Sequence, residues 1–455
     1  MIYERAITPA ATDTQKVGRD LTPNMRALRL TMRIAEQLLC HGVSAHDVVD
    51  SALDITETLC QRRVHIDINA TSIMASQDRG IDREPLTLIR TVSMQNPNNL
   101  IVQEMQDLVR SIRGGLSLDS AEARFEKIIA VKPTYPSWLT MIGNASVTAG
   151  ATMLFTNSWV VVVTTFLVGC LVDRLIRWLE ARQVLSFFVQ AISSFTITMS
   201  ATLVVELGNR GVWPFVGVNP TLIVVGGIVM LVAGLMVVAT AQDAIDEFYV
   251  TASARFMKTF MMTAGIVMGI VIGLLVAHGA GSKIAVSPDP VALGDPFWQV
   301  MGAVVIAAGW ALFMQSKAAA VVWAGIIGGL GWGVYMLTAA SGEALANGVA
   351  AVLVGFAGAI IARVYRSPSI ALIDAGVVPL VPGLALYNGL MQFVDKPSAS
   401  SVAEGNMLLL TALSVALSIA AGASVGNYFG RPVRSHIVRV KESIPEMMPT
   451  FRRKR

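Results

Sequence analysis

From Trp138 to Phe429 the chain is a succession of apolar runs separated by short polar breaks, and that succession restricts what it can fold into. The runs lie near 138–156, 158–172, 184–206, 219–241, 254–278, 296–315, 318–339, 344–362, 369–393 and 404–429. Most come close to the roughly 20 residues a helix needs to cross about 30 Å of hydrocarbon, and the first two are the shortest. With no water to satisfy N–H and C=O groups at that depth, runs of this length are expected to be transmembrane helices. The chain is 54% hydrophobic and only 15% charged, against roughly 25% charged in soluble domains. The expected fold is therefore an α-helical polytopic membrane protein with about ten transmembrane helices.

Residues 1–137 differ. They hold 16 Lys/Arg and 17 Asp/Glu, half of the 35 + 31 charged side chains of the whole chain. The first 20 residues have no apolar h-region and predict a disordered start without a cleaved signal peptide. "NMRALRLTMRIAEQLLCHG" has helical periodicity up to Gly42, and a second helix is expected from the cap Ser44. "RRVHIDINATSIMAS" switches to alternation, with Val64, Ile66 and Ile68 on one face and His65 and Asp67 on the other, and reads as a strand. "PLTLIRTVSM" reads as its partner. Helices are expected over about 96–113, stopped by Gly114 and Gly115, and over about 118–130. This is an α+β domain, followed by a first membrane segment (138–279), a second (296–430) and a basic tail (431–455).

The ninth run, "SPSIALIDAGVVPLVPGLALYNGLM" (367–391), is unlike a plain anchor. Pro379 and Pro382 each remove a backbone donor and clash with the preceding turn, so a continuous helix is not expected. Broken backbone at membrane depth occurs where it is buried in protein or lines a wet cavity, and in transporters such helices form the substrate site. "NPTLIVVGGIVMLVAGLMVV" (219–238) echoes it: Pro220 answers Pro368 and "LVAGL" answers "LVPGL". The copies fall five runs apart, and an odd offset reverses the crossing direction. That predicts two inverted five-helix repeats, 138–279 and 296–430.

With residues 1–137 in the cytoplasm, inside loops receive Arg174, Arg177, Arg182, Arg255, Lys258, Lys317, Arg363 and Arg366, and outside loops only Arg210, Lys283 and Lys396. This obeys the positive-inside rule and puts both termini in the cytoplasm. The tail "RPVRSHIVRVKESIPEMMPTFRRKR" reads as retention against anionic lipid rather than as a nucleic-acid site.

No GxxxxGK[ST] motif occurs, which argues against direct nucleotide-driven pumping and leaves ion coupling as the default, with no cofactor expected. The three cysteines (Cys40, Cys60, Cys170) have no metal spacing, so neither a metal site nor a disulfide is indicated. Asp374 is a candidate for a substrate amine or a coupling proton, or else pairs with Arg363 or Arg366. In "QDAIDEFYVTASARFMKT", Gln242, Asp243, Asp246 and Glu247 close the fourth run and Arg255 and Lys258 open the fifth: an inside gate, or an ordinary charged loop. Asn144, Gln190, Ser193, Ser194, Thr202 and Asn388 are polar groups within runs, read mainly as interhelical hydrogen bonds. His65 and Asp67 are the one pair in the first domain that could ligate a metal or act as acid and base.

At "LVRSIRGGLSLDSAEARFEKI", "QDAIDEFYVTASARF" and "VPLVPGLALYNGLM" the chain resembles the threonine/serine exporter family of bacterial inner-membrane proteins, and "HIDINATSIMAS" fits its N-terminal strand region. The resemblance implies a multi-pass protein of the cytoplasmic membrane that exports small hydrophilic amino acids against protons. Its matching positions are Gln242, Asp243, Thr251, Ser253 and Arg255, together with Pro379, Pro382, Gly383 and Tyr387. Ala244 departs from the family's usual Gly, which would stiffen that turn. The partners implied are an amino-acid substrate and the lipid bilayer, with a homo-oligomer left open. The alternatives are export of a dicarboxylate such as succinate and a membrane-anchored hydrolase using His65 and Asp67.

Overall fold

The computed structural model describes residues 22–60, 63–79, 84–93, 98–130, 135–231, 234–282, 292–365, 368–395 and 399–442. The expected disordered start, Arg366, Lys283, Lys396, Val232 and Ala233 of the echo, and the tail after Glu442 lie outside them. The chain divides into two compact units, residues 1–95 with 101–132, and residues 96–100 with 133–455.

In the first unit α1 (Pro23–Cys40) and α2 (Ala45–Leu59) are followed by β1 (Val64–Asn69), β2 (Ser72–Gln77), β3 (Leu86–Thr91), α3 (Asn99–Arg113) and α4 (Leu118–Ala130). Ser44 caps α2, its hydroxyl accepting from Asp47 N. The stretch read as one strand is two. Ala70, at φ +50, turns the chain, and β1 and β2 form an antiparallel hairpin with Ile68 opposite Ile73. Asn and Gly supply most left-handed turn residues, so an Ala there gave no signal. β3 pairs with β2 alone, giving the order β1-β2-β3. Val64, Ile68, Ile73 and Ala75 are buried with Leu28, Leu38, Ile55, Met105, Leu108, Ile112 and Phe125. Arg26 bridges Glu122 (2.6 Å) and Asp119 (2.5 Å), joining α1 to α4, and Arg33 reaches Glu126 while lying 4.5 Å over the Phe125 ring.

The second unit is helical: α5 (Ser137–Met153), α6 (Trp159–Ala181), α7 (Ser186–Asn209), α8 (Pro220–Leu231), α9 (Gly234–Ile245), α10 (Tyr249–Gly279), α11 (Pro296–Phe313), α12 (Ala318–Thr338), α13 (Glu343–Tyr365), α14 (Ser369–Val377), α15 (Gly383–Asp395) and α16 (Ala399–Glu442). Among the described residues seven helices are long and apolar enough to cross a membrane, or nine if α8 with α9 and α14 with α15 each count as one bent span. The chain is a multi-pass membrane protein. α5, at 17 residues, rises only about 26 Å and falls short. Exposed Trp and Tyr collect at or just beyond helix ends, at Trp138, Trp159, Trp178, Trp213 and Tyr249, where amphipathic rings sit at headgroup level.

Two boundaries differ from the sequence reading. The second apolar run continues past residue 172 to Ala181, so Asp173, Arg174 and Arg177 belong to helix α6 rather than to a loop. The fourth run, read as continuous, is broken like the ninth, its limbs α8 and α9 inclined by 40°. Pro379 and Pro382 produce the expected break in the ninth, where α14 and α15 meet at 43°.

Helices approach to backbone contact at glycines. α5 and α11 are antiparallel: a Cβ on Gly143 would lie 2.8 Å from Gly309 O, and one on Gly302 2.6 Å from Gly150 O. α7 and α10 pack side by side along Gly265, Gly269 and Gly273, the first facing Phe187 O and the second Ala191 O; α13 and α16 do the same along Gly422, Gly426 and Gly430, facing Gly348 O, Val352 O and Ala359. Bilayers give apolar helices little reason to associate, so close packing of small residues holds such bundles together.

The second limbs of the broken helices exchange places. Tyr387 and Met391 of α15 belong to one apolar core with Val168, Ile197, Ile228 and Ile270, from α6, α7, α8 and α10. Val238 and Ala241 of α9 belong to the other core, with Ile327, Val354, Leu372 and Ile419.

Gly302→Ala forces two backbones apart and should destabilise the protein by about 1–3 kcal/mol. Gly333, with open space around its α carbon, is the control: Gly333→Ala should be neutral or stabilise by up to about 1 kcal/mol. Thermal unfolding in detergent checks both.

Candidate functional site

Helix α9 ends in a tight turn. Asp246 N donates to Gln242 O (2.9 Å), Phe248 N to Asp243 O (2.8 Å), and Glu247 takes the left-handed backbone at φ +68. The turn folds α10 back so that Arg255 Nη1 lies 3.1 Å from Asp243 Oδ2, with Asp243 1% exposed. Thr251, one turn before Arg255 on α10, is buried on the same face. Asp243 and Arg255 thus come together, with Thr251 on the same face of α10, while Gln242 enters the turn through its carbonyl. Ser253 is exposed on another face of α10, as is Lys258. Ala244 lies inside α9, three residues before the left-handed position.

The second cluster is the α14–α15 break. After α14 a single 3-10 turn covers Val378–Leu380, Val381 is extended, and Gly383 starts α15. Pro379, Pro382, Gly383, Tyr387 and Asn388 are buried, and Asp374 on α14 is half-buried. Arg366, one partner considered for Asp374, lies outside the described residues. Both clusters border α10, which packs against α9 and α15.

The sequence reading missed a third group. Asp173 is 3% exposed and accepts from Arg177 Nε (2.7 Å), Arg177 Nη2 (3.2 Å) and Asn144 Nδ2 (2.9 Å), while Arg177 Nη2 also donates to Thr140 Oγ1 (3.0 Å). Every oxygen of this buried pair is engaged, and the network ties α5 to α6. Its signal was the Asp–Arg spacing of four, lost because the run was ended at residue 172. The other in-run polar groups divide. Ser194 and Thr202 hydroxyls donate to carbonyls of their own helix, those of Gln190 (2.8 Å) and Thr198 (2.9 Å). Gln190 Oε1 and Ser193 Oγ are buried with no hydrogen-bond partner among the described residues.

In the first unit His65 and Asp67 are exposed, and Asp67 accepts from Ile68 N and Asn69 Nδ2, both at 2.9 Å. Its carboxylate shapes the hairpin turn. Burial pushes the Cys40 thiol up to about 12 and the Cys60 thiol up to about 11, so neither is a ready nucleophile.

Removing one member of a buried ion pair leaves the other unpaired and costs about 3–5 kcal/mol. Asp243→Ala should lose stability on that scale, and Asp243→Ala with Arg255→Ala together should lose less than the sum of the single changes. A double-mutant cycle by thermal unfolding tests this coupling. At pH 7, maleimide should label Cys40 and Cys60 in the folded protein far more slowly than in the unfolded chain.

Comparison with known proteins places this geometry in a lineage. The threonine/serine exporter family matches residues 29–277, and a second family of threonine/serine exporters matches residues 299–428. A protein of Mycobacterium tuberculosis named "Probable threonine/serine exporter" is 28% identical over 92% of this chain and 79% of its own. The "Threonine/serine exporter" of Corynebacterium glutamicum is 26% identical over 91% of this chain and 85% of its own. No solved structure matches. The names are those of transporters, not of enzymes, and neither relative is close in sequence. The first family match alone covers more than half of the residues, and it includes both the ion pair and the first broken helix: this chain belongs to the threonine/serine exporter family.

Proposed function

We propose that the protein is a secondary active exporter of small hydrophilic amino acids, threonine and serine, across the cytoplasmic membrane, driven by the proton gradient. The observation that carries this is the buried Asp243–Arg255 pair at the end of a broken helix. A buried ion pair between two helices has two discrete states, closed and separated, and rocking repeats need such an element. The names of the two relatives supply the substrate class.

The machinery is two inverted repeats of five crossings, α5 to α10 and α11 to α16, ten in all when each bent pair is one. Three features support it. α8–α9 and α14–α15, the fourth crossing of each half, are the broken ones. The third and fifth helices of each half pack in parallel along glycines spaced by four, 265, 269 and 273 in one and 422, 426 and 430 in the other. On α5 and α11 the matching glycines are 143 with 302 and 150 with 309, yet the contacts run crosswise, 143 to 309 and 150 to 302. Equivalent positions that meet crosswise between antiparallel helices are the mark of a two-fold axis, here one lying in the membrane plane.

In this reading the first unit and both termini are cytoplasmic. Asp243 and Arg255 close the inner path, and the α14–α15 break with Asp374, Tyr387 and Asn388 offers polar groups to the substrate. Exposed α10 Ser253 has no part in the path.

Reconstituted protein in liposomes preloaded with labelled threonine tests the proposal. Threonine and serine efflux should follow an imposed pH gradient, and Asp243→Asn should reduce it at least tenfold, while truncation after Glu442 should not. Movement of succinate in place of threonine, or efflux indifferent to the gradient, would refute it.

A further inference from the structure

Two polar side chains on α7, Gln190 (8% exposed) and Ser193 (fully buried), leave Gln190 Oε1 and Ser193 Oγ without a hydrogen-bond partner among the described residues. Buried polar atoms without a partner are rare in native proteins, and each calls for an explanation such as a ligand or water. Their neighbours satisfy themselves: Ser194, Thr198 and Thr202 all donate to the carbonyl four residues back. Ser193 could do the same and does not.

The location of the pair is informative. Gln190 stands on the face of α7 that meets α10, where a Cβ on Gly265 would lie 3.4 Å from Gln190 Cβ. Ser193 is one turn before Ile197, whose side chain fills the space opposite Gly227 of α8. α7 and α8 are neighbours that run in opposite directions with equal rise. If Ile197 is level with Gly227, Ser193 is level with Leu231, the last residue of α8. The two unpartnered groups therefore sit beside the last turn of α8, next to the bend between α8 and α9.

We propose that Gln190 and Ser193 form a substrate subsite, with Gln190 Oε1 accepting from the ammonium or hydroxyl group of an amino acid and the Ser193 hydroxyl donating to its carboxylate. The assignment rests on the export reading and deepens it. An amide oxygen needs a donor, which an amino acid supplies and a fully ionised dicarboxylate lacks. The subsite is uncharged, as suits a zwitterion.

A structural role and a binding role predict opposite results. Replacing a buried polar group that has no partner with an apolar one is neutral or stabilising, whereas replacing one that holds helices together is not. Full-length Gln190→Leu and Ser193→Ala should unfold in detergent, without ligand, at or above the wild-type temperature. Threonine should raise the unfolding temperature of the wild type but not of either variant, and in liposomes the KM for threonine should rise about tenfold. A lower unfolding temperature without ligand, an unchanged KM, or a wild-type shift with succinate but not threonine would overturn the subsite. A wild type that neither moves threonine nor is stabilised by it would overturn the export reading as well, which separates the two failures.

Discussion

The contact on which the membrane unit depends is backbone against backbone. Between apolar helices in lipid there is no water to expel, so association rests on how closely the chains can approach. Gly143, Gly150, Gly302 and Gly309 let α5 and α11 meet with carbonyls against α carbons, and the two glycine ladders do the same for α7 with α10 and α13 with α16. These contacts leave room for small side chains alone: Ser194 lies opposite Gly269 and Thr198 opposite Gly273, while the charged pairs lie at the α9–α10 turn and the α5–α6 seam.

The two buried Asp–Arg pairs show how differently similar chemistry can be used. Asp173 has Arg177 and Asn144 on its oxygens and Arg177 in turn has Thr140, all within α5 and α6. Such a satisfied network fixes one arrangement. Among the described residues Asp243 has one ion-pair contact, to a helix that begins only a few residues later. Separating it requires only that the turn open, so the same charges suit a bolt rather than a rivet.

Much of this was legible in the residues, for definable reasons. Apolar runs located the membrane helices because length and hydropathy are what the bilayer demands, and Pro379 with Pro382 located a break because proline removes a donor. The break between α8 and α9 has no proline at its centre and was invisible; "LVAGL" reads as good helix. The length of α6 was missed because charged residues were taken to end a membrane run, when Asp173 and Arg177 neutralise one another inside it. The hairpin turn at Ala70 and the isolation of Ser253 from Thr251 and Arg255 depend on backbone twist and helical phase, which a motif written in one line does not display. That Gln190 and Ser193 go unpartnered while Ser194 does not is a matter of rotamers, beyond any pattern.

The passage of α15 into the core built by α6, α7, α8 and α10 also governs how the protein can be made. That core includes Tyr387 and Met391, residues a ribosome adds more than a hundred positions after α10 is complete. Until they are inserted, Val168, Ile197, Ile228 and Ile270 face a gap that lipid or another chain must occupy. The early helices must wait, loosely gathered, for late ones to lock them, so assembly proceeds as a clasp closing from both sides and not as one finished module followed by another.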